Sequence, residues 1–370
     1  MNPFKITIVT GDLFCDREKE TECLIKNMLS GMHTVMYAPR RYGKSSLAHV
    51  VLSKLQGQMV GVYVDLNSIS SQEDVAHYLY RGIFRELGRK AVDKSSLLAR
   101  IAEVFKNLQL GISLDPVSKN PEITVELGNE RVETYIETVI DSLDAYCEKH
   151  QLKVCLVLDE FQEICNLKSS KKVEGLLRGG MQMAKNVTFL MLGSRRTVLR
   201  DMFEDNKRPF YKSADIFPLE KIPEEALVDL IEGTFEKEGA IIPREEAQRI
   251  VEYCCSYPYY VQKLARIYYD IREEGGSLSD AEDRLLEKET TGFENILLNL
   301  TLPQKRLLRA IAENKPRAVF AADFFLKYRL GSHSGVQHNL EKLKKSDLVE
   351  QQNGQWRVVD SILEKWLVAY

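Results

Sequence analysis

A short segment near the start of the chain carries glycine, lysine and serine at the spacing of a phosphate-binding loop. It runs from Ala38 to Ser46, directly after the β-branched and apolar segment Thr34–Tyr37. Apolar residues then recur at helical spacing from Leu47 to Leu55. Strand, loop and helix form the context that this motif requires. We predict that the loop binds nucleotide phosphates through Ala38, Pro39, Arg40, Arg41, Tyr42, Gly43, Lys44, Ser45 and Ser46.

The residue types in this loop suit a polyphosphate. Successive backbone N–H groups can surround phosphate oxygens, and the N-terminus of the following helix adds partial positive charge. Lys44 would place its ammonium near the β- and γ-phosphates, and Ser45 would offer its hydroxyl to Mg²⁺. Ala38 stands where the motif usually has glycine, and alanine fits there if its φ stays negative. The alternative is an accidental Gly-Lys-Ser in an ordinary loop.

Two adjacent carboxylates follow an unbroken apolar run of strand length that begins at Lys153. Such a run is typical of a strand buried on both faces of a parallel sheet, where ligands bind at the carboxyl ends of the strands. Asp159 and Glu160 stand at that end. We predict that one of these carboxylates belongs to the Mg²⁺ shell and that its neighbour orients and deprotonates an attacking water, because a buried acidic pair without a role would be costly. The alternative is a strand that simply ends in acids at the surface.

A second buried strand, predicted from Val187, ends at the small polar residue Ser194. Ser194 would sense or polarise the γ-phosphate. Arg195 follows at once and could bridge to phosphate in its own site or in a neighbouring subunit, which would require a homo-oligomer; Arg196 and Arg208 could act across an interface in the same way. The alternative for these arginines is a surface charge or a salt-bridge partner. Near the N-terminus, Phe14 and Arg17 could pack beside an adenine, or simply belong to a solvated helix start.

Composition limits the classes of protein to which the chain can belong. Its 370 residues predict two or three domains, and 44% hydrophobic with 28% charged residues is ordinary for a soluble protein. A net charge of −3 gives no global attraction to nucleic acid or membrane. The seven cysteines lack CxxC spacing, which argues against a structural metal site or disulfide framework and favours a reducing cytoplasm. We find no signal peptide and no apolar run long enough to span a membrane.

Changes in sequence texture divide the chain into three predicted domains. Residues 1–217 form the core, with a hairpin or insertion at about 109–128. Residues 218–290 are helical and rich in charge, with Pro223 and Pro243 as first helical residues and a flexible boundary from Gly275-Gly276 onwards. Residues 291–370 have three helices and a hairpin around Asn353-Gly354, which favours a type I′ turn. This order is typical of a winged helix-turn-helix.

The last domain carries a hypothesis of its own. Its third helix holds Lys342, Lys344 and Lys345, so residues 334–357 could contact duplex DNA. The alternative is that the domain packs on its own core or on a partner protein. His333 and His338 are too isolated to form a metal site.

Four of these segments together resemble one family. They are Pro39–Ser45, Leu158–Glu163, Gly193-Ser194 and Tyr257–Gln262, and they look like the archaeal-type ATPases, within the STAND branch of the AAA+-like NTPases. The resemblance covers nearly the whole chain. It implies an α/β P-loop NTPase, with a parallel sheet between helices, followed by a helical lid and a winged helix. It also implies ATP and Mg²⁺ as cofactors.

The same resemblance implies roles for individual residues. It gives phosphate and Mg²⁺ binding to Lys44 and Ser45, metal coordination to Asp159, base catalysis to Glu160, and the first sensor to Ser194. Pro258 matches a lid proline that packs on the nucleotide base, and Arg17 belongs to an N-terminal Asp-Arg-x-x-Glu motif. Lys212 stands where the family commonly has arginine. Lysine cannot make the bidentate fork of arginine, so this departure suggests slow hydrolysis.

These observations predict an ATP-binding, slowly hydrolysing switch whose nucleotide state passes through the lid to the winged helix and so to a protein partner. One alternative is a DNA-associated AAA+ ATPase of the initiator or loader type, and another is a nucleotide-binding scaffold without turnover. GTP is disfavoured because Asn314-Lys315-Pro316-Arg317 lacks the aspartate of the guanine-reading motif. A kinase is disfavoured because no segment suggests an acceptor site.

Overall fold

A five-stranded, fully parallel sheet lies at the centre of the N-terminal part of the chain. The computed structural model describes residues 2–89, 111–114, 121–124 and 135–370. The sequence also predicts a helix from Ser95 to Leu108, and this segment lies outside these residues. The sheet has the order β2-β5-β6-β1-β7. Its strands are β1 (Thr34–Tyr37), β2 (Val60–Asp65), β5 (Val154–Asp159), β6 (Val187–Gly193) and β7 (Asp215–Pro218).

Two antiparallel pairs are the other strands of the described residues. β3 (Gly111–Leu114) pairs with β4 (Pro121–Thr124), in agreement with the hairpin predicted there. β8 (Val349–Gln352) pairs with β9 (Gln355–Val358). The turn between β8 and β9 has positive φ at both Asn353 (51°) and Gly354 (76°), which is the type I′ geometry predicted from this dipeptide.

Helices surround the sheet and form the C-terminal part of the chain. Those before β7 are α1 (Glu18–Leu29), α2 (Lys44–Lys54), α3 (Gln72–Arg89), α4 (Tyr135–Lys149), α5 (Ser170–Met183) and α6 (Arg196–Glu204). Those after β7 are α7 (Glu224–Lys237), α8 (Arg244–Tyr253), α9 (Pro258–Arg272), α10 (Leu278–Leu298), α11 (Leu302–Asn314), α12 (Ala322–Tyr328), α13 (His333–Lys345) and α14 (Ser361–Ala369).

The two central strands explain why the sheet forms where it does. Every residue of β5 and β6 is buried. Their side chains alternate between the two faces, as the two-residue period of a strand requires. Cys155 and Val157 pack in the cluster that contains α2 and the C-terminal helices, whereas Leu156 and Leu158 pack with α3, α4 and α5. Continuous apolar runs therefore specify strands covered by helices on both faces.

Two local predictions are wrong. Acidic residues after Gly275-Gly276 form no flexible boundary, because Ser277 and Asp280 make a capping box that starts the 21-residue helix α10. The predicted domain limit at residue 290 lies within this helix and stays a prediction. Pro223 and Pro243 are N-cap residues with ψ of 139°, so each lies one position before the first helical residue and not at it.

Among the described residues, no helix is long and apolar enough to cross a membrane.

Candidate functional site

The loop after β1 has the backbone shape that its glycine and alanine require. Gly43 has φ of 87° and caps α2, and Arg41 also adopts a left-handed conformation with φ of 70°. Ala38 is buried and keeps φ out of the left-handed region. Its N–H donates to the Gly193 carbonyl at 3.4 Å, which joins the loop to the end of β6. Alanine at the first position of the motif is therefore compatible with the loop.

Lys44 is held inside the loop by the loop's own carbonyls. It begins α2, is 6% exposed, and donates from Nζ to the oxygens of Ala38 (2.9 Å) and Pro39 (3.0 Å). Burial lowers the pKa of Lys44 to about 8, although the nearby carboxylates of Glu160 and Asp159 act to raise that pKa. The ammonium is thus desolvated before any ligand arrives.

Asp159 connects the loop to the end of β5. Its Oδ2 accepts from the Ser45 hydroxyl at 2.7 Å and from the Tyr63 hydroxyl, and its Oδ1 accepts from the Glu160 N–H at 2.8 Å. Sequence reasoning assigned no role to Tyr63, which lies on β2, the strand next to β5. The Ser45 hydroxyl and the Asp159 carboxylate supply the oxygen ligands that Mg²⁺ prefers, so the residues present fit that ion.

Glu160 is fixed by residues at the ends of both central strands. It has φ of 51°, and its Oε2 accepts from the Ser194 hydroxyl at 2.9 Å and from the Gln162 side-chain amide. Gln162 is fully buried, and a Cβ at Gly193 would lie 2.2 Å from its Oε1. From sequence, Gln162 is only one residue of the Leu158–Glu163 segment. Its contact with Ser194, at 3.5 Å, depends on β5 and β6 lying side by side.

A cavity of about 290 Å³ adjoins these side chains. Phosphate-loop residues line one side, and Pro258 and Tyr259 of α9 line another. Apolar residues from three parts of the chain, the N-terminal segment, the 222–230 region and α9, complete the wall: Ile6, Ile8, Val9, Phe14, Ile222, Leu227, Leu230 and Pro258. The Val9 N–H donates to the Ser46 hydroxyl at 3.0 Å, which fixes the N-terminal segment beside α2. The cavity therefore has a cationic end and an apolar end.

Arg17 and Arg195 occupy different surroundings. Arg17 lines the cavity, but its guanidinium donates to Glu20 (2.5 Å) and to the Glu220 carbonyl (2.6 Å), so it also braces α1. Arg195 lines a second cavity of about 450 Å³, on the Ser194 side, and donates to Asn166 at 3.3 Å. Pro258 and Phe14 also line the first cavity.

Fold and site together define a P-loop ATPase domain followed by a winged helix. Residues 14–264 match the family described as an ATPase domain predominantly from Archaea, and residues 291–369 match a family described as a probable winged helix domain. The first match spans most of the chain, so the chain belongs to that archaeal-type ATPase family. The resemblance and the fold class predicted from sequence are confirmed. No curated protein matches the chain.

Several solved structures share this architecture. The Walker-type ATPase of Pyrococcus abyssi is 19% identical with a TM-score of 0.72, over 96% of each chain. The ORC2 protein of Aeropyrum pernix, solved in ADPNP-ADP complexes, is 15% identical with a TM-score of 0.59, over 95% of this chain and 94% of that one. The ORC1 protein of the same organism, solved with DNA, is 14% identical with a TM-score of 0.53, over 97% and 94%. At these identities the likeness is one of fold.

Proposed function

We propose that the protein is an ATP-binding, slowly hydrolysing switch whose nucleotide state reaches the winged helix through the helices after β7. The cationic end of the first cavity would take the phosphates, and its apolar end the adenine. Lys44 would contact the β- and γ-phosphates, and Arg17 and Pro258 would border the base. The buried ammonium of Lys44 supports this, since desolvated charge binds phosphate more strongly than exposed charge.

Hydrolysis would use the two strand ends. Glu160 would accept a proton from the water that attacks the γ-phosphorus, and the bond to the bridging oxygen would break to leave ADP. Ser194, within hydrogen-bonding distance of Glu160, would orient that group and the γ-phosphate. Ser45 and Asp159 would hold Mg²⁺, which supplies charge neutralisation between the phosphates. The described residues contain no group of three metal-binding side chains, so phosphate oxygens would complete the shell.

A continuous chain of contacts from the phosphate loop to the winged helix carries the proposal. Arg41 of the loop pairs with Glu289 of α10 at 2.7 Å and contacts the Tyr260 hydroxyl. Its guanidinium also stacks 4.5 Å from the ring centre of Tyr259. The Tyr260 hydroxyl donates to Asp360 Oδ2 at 2.7 Å. A shift of the loop would therefore move α9 and the residue that begins α14.

Asp360 links the contact with Tyr260 to the start of α14. Its Oδ1 caps α14 by accepting from the N–H groups of Ile362 and Leu363, each at 3.0 Å. The Tyr257 hydroxyl, three residues before Tyr260, donates to the carbonyl of Val359. The winged helix is thus fixed to α9 at the same point where α9 touches the loop.

A second link joins the sensor strand to the wing. Arg196 begins α6, two residues after Ser194, and pairs with Glu350 at 2.9 Å and Asp347 at 3.3 Å. Glu350 belongs to β8. Both ends of the phosphate site, the loop and the sensor, therefore contact the winged helix. This geometry supports a relay rather than an independent C-terminal module.

Replacing Tyr260 by phenylalanine should uncouple the two parts. The ring and its packing remain, but the hydroxyl that joins Arg41 to Asp360 is lost. We expect an ATP analogue to bind within about threefold of wild type, because the phosphate contacts are elsewhere. We also expect the analogue-induced change in amide hydrogen exchange of residues 334–357 to disappear.

Tyr268→Phe is the matched control, because its hydroxyl lies on the same helix and donates to Glu246 at 2.6 Å, away from the relay. Tyr268→Phe should keep the wild-type exchange response. A full response in Tyr260→Phe would contradict the relay, and no response in wild type would contradict the switch itself.

Duplex DNA is the second candidate partner. Lys342, Lys344 and Lys345 are exposed on α13, and the ORC1 relative was solved with DNA. Arg196 pairs with Asp347 and Glu350, so the wing is already in contact with the core. We therefore expect DNA binding to be weak and rank this candidate below a protein partner.

An anisotropy titration of full-length protein against duplex DNA compares the two candidates. If the partner is a protein, we expect no salt-dependent binding of duplex DNA between about 50 mM and about 200 mM salt. A steep loss of affinity over that range, reduced further in Lys345→Glu, would favour DNA. Lys237→Glu, in an exposed ion pair with Asp12, is the control for net charge.

A homo-oligomer in which Arg195 reaches a neighbour's nucleotide stays a prediction.

A further inference from the structure

We propose that Arg40 contacts the γ-phosphate of the nucleotide held by its own loop and stabilises the charge on that phosphate during hydrolysis. This inference rests on the proposed ATPase function. The resemblance suggested an arginine where this chain has Lys212. Lys212 lines neither cavity, and its ammonium lies 5.3 Å from the ring centre of Tyr211. A second cation at the γ-phosphate, in addition to Lys44, would therefore have to come from another residue.

The other arginines near the site are already committed to protein partners. Arg41 is held by Glu289 and two tyrosine rings, and Arg196 is held by Asp347 and Glu350. Arg17 and Arg208 are paired with Glu20 and Glu174. Arg195 retains a single long hydrogen bond to Asn166. Moving any of the four paired residues would break an ion pair that also braces the fold.

Arg40 differs from all of them. It is exposed, and among the described residues it forms no hydrogen bond and no ion pair. It lines both cavities: the one that contains Lys44 and the one that contains Ser194 and Arg195. Arg40 thus borders both the cavity beside the ammonium and the cavity beside the sensor residue, the two groups proposed to flank a γ-phosphate.

Electrostatics supports that placement. Burial is the main reason that the pKa of Lys44 is lowered, and the charge of Arg40 lowers it further. That effect requires the guanidinium to lie near the ammonium. The carboxylates of Glu160, Asp159 and Asp347 act on the Lys44 ammonium more strongly than Arg40 does, and a polyanion beside both cations would be attracted to each of them. A guanidinium can donate two parallel hydrogen bonds to a phosphate, which a lysine cannot.

A contact with the γ-phosphate can be tested by comparing ATP with ADP. As the attacking water loses its proton to Glu160 and the bond to the bridging oxygen breaks, charge spreads over the γ-phosphoryl oxygens. Arg40 would stabilise that distribution. ADP has no γ-phosphate, so Arg40 should matter little for ADP. The two nucleotides therefore separate this role from general phosphate attraction.

The test is Arg40→Ala in the full-length protein. We expect kcat for ATP to fall about 100-fold or more, which is the usual effect of removing a transition-state donor. Affinity for ADP should stay within about twofold, whereas the preference for a non-hydrolysable ATP analogue over ADP should be lost. Arg40→Lys should recover part of kcat relative to Arg40→Ala, because lysine restores the positive charge but cannot donate the two parallel hydrogen bonds of a guanidinium.

Arg200→Ala is the control, since Arg200 is exposed and, within the described part of the chain, pairs only with the nearby Glu204. It should leave kcat and both affinities unchanged. If Arg40→Ala weakens ADP and the analogue equally while kcat is retained, Arg40 is a general phosphate contact and the inference is wrong. If instead Arg195→Ala or Lys212→Ala lowers kcat and Arg40→Ala does not, the cation comes from elsewhere.

Failure of this inference can be distinguished from failure of the proposed function. Without turnover in wild type, hydrolysis itself would be disproved. The ratio of analogue affinity to ADP affinity, measured by fluorescent-nucleotide displacement, needs no turnover. An unchanged ratio in Arg40→Ala would then still overturn the γ-phosphate contact.

Discussion

Glu160→Gln is expected to lower steady-state ATP hydrolysis about 100-fold or more, because it removes a general base. Glutamine keeps the size of the side chain, and its amide oxygen can still accept from Gln162 and Ser194. The substitution therefore changes the chemistry and not the arrangement. ATP affinity should stay within about threefold of wild type. Phosphate release and fluorescent-nucleotide binding measure the two quantities.

Glu204→Gln is the control for this experiment, since Glu204 lies at the end of α6 and pairs on the surface with Arg200. It should turn over at the wild-type rate. Wild-type turnover in Glu160→Gln would show that the base is another group. Loss of ATP binding together with turnover would show that Glu160 is needed for the arrangement of the site.

Lys44→Met should weaken ATP binding about 100-fold, because each hydrogen bond from a charged donor to phosphate contributes about 1.5–3 kcal/mol. Methionine retains most of the buried stem. The carbonyls of Ala38 and Pro39 lose their donor, so a thermal melt must show that the variant is folded. Lys54→Met, at the exposed end of α2, is the matched control and should bind ATP normally. Normal affinity in Lys44→Met would disprove the phosphate-loop assignment.

The buried ammonium also predicts how binding depends on pH. Burial lowers the pKa of Lys44 to about 8 in the free protein, and a bound phosphate would raise it again. Binding therefore takes up a proton above that pKa, and affinity falls as pH rises. We expect about a tenfold loss in wild type one pH unit above the free pKa. In Lys44→Met the affinity should be flat over the same range. A flat wild-type profile would contradict this linkage.

A switch of this kind requires the winged helix to be connected by side-chain contacts to the elements around the nucleotide site. Arg41 and Arg196 provide that connection from opposite ends of the phosphate site. Neither residue needs to touch nucleotide for the relay to operate. The proposed roles divide the loop's two arginines: Arg40 toward the γ-phosphate, and the Arg41 side chain toward α9 and α10.

Much of the fold was predictable because it follows from local pattern. Continuous apolar runs specified β5 and β6, and the glycine, lysine and serine of the loop specified the turn into α2. Since parallel strands end at the same edge of a sheet, Asp159, Glu160 and Ser194 had to lie near the loop once those strands were recognised. The Asn353-Gly354 turn needed only its own two residues.

Elements stabilised by distant partners escaped prediction. β7 is a short edge strand with no fully buried residue, so it lacks an apolar run, and its strand form depends on pairing with β1. α14 was also missed. Its start is fixed by Asp360, whose carboxylate is held in turn by Tyr260, 100 positions earlier.

The sequence alone determined the chemistry of the phosphate site, because that chemistry depends on residue type and on spacing within single segments. The tertiary structure alone decided which side chains hold that site and what it touches. Periodicity shows that a residue is buried but not against what. The contacts of Tyr63 with Asp159, Ser194 with Glu160, and Arg41 with Glu289 each depend on how separate elements pack.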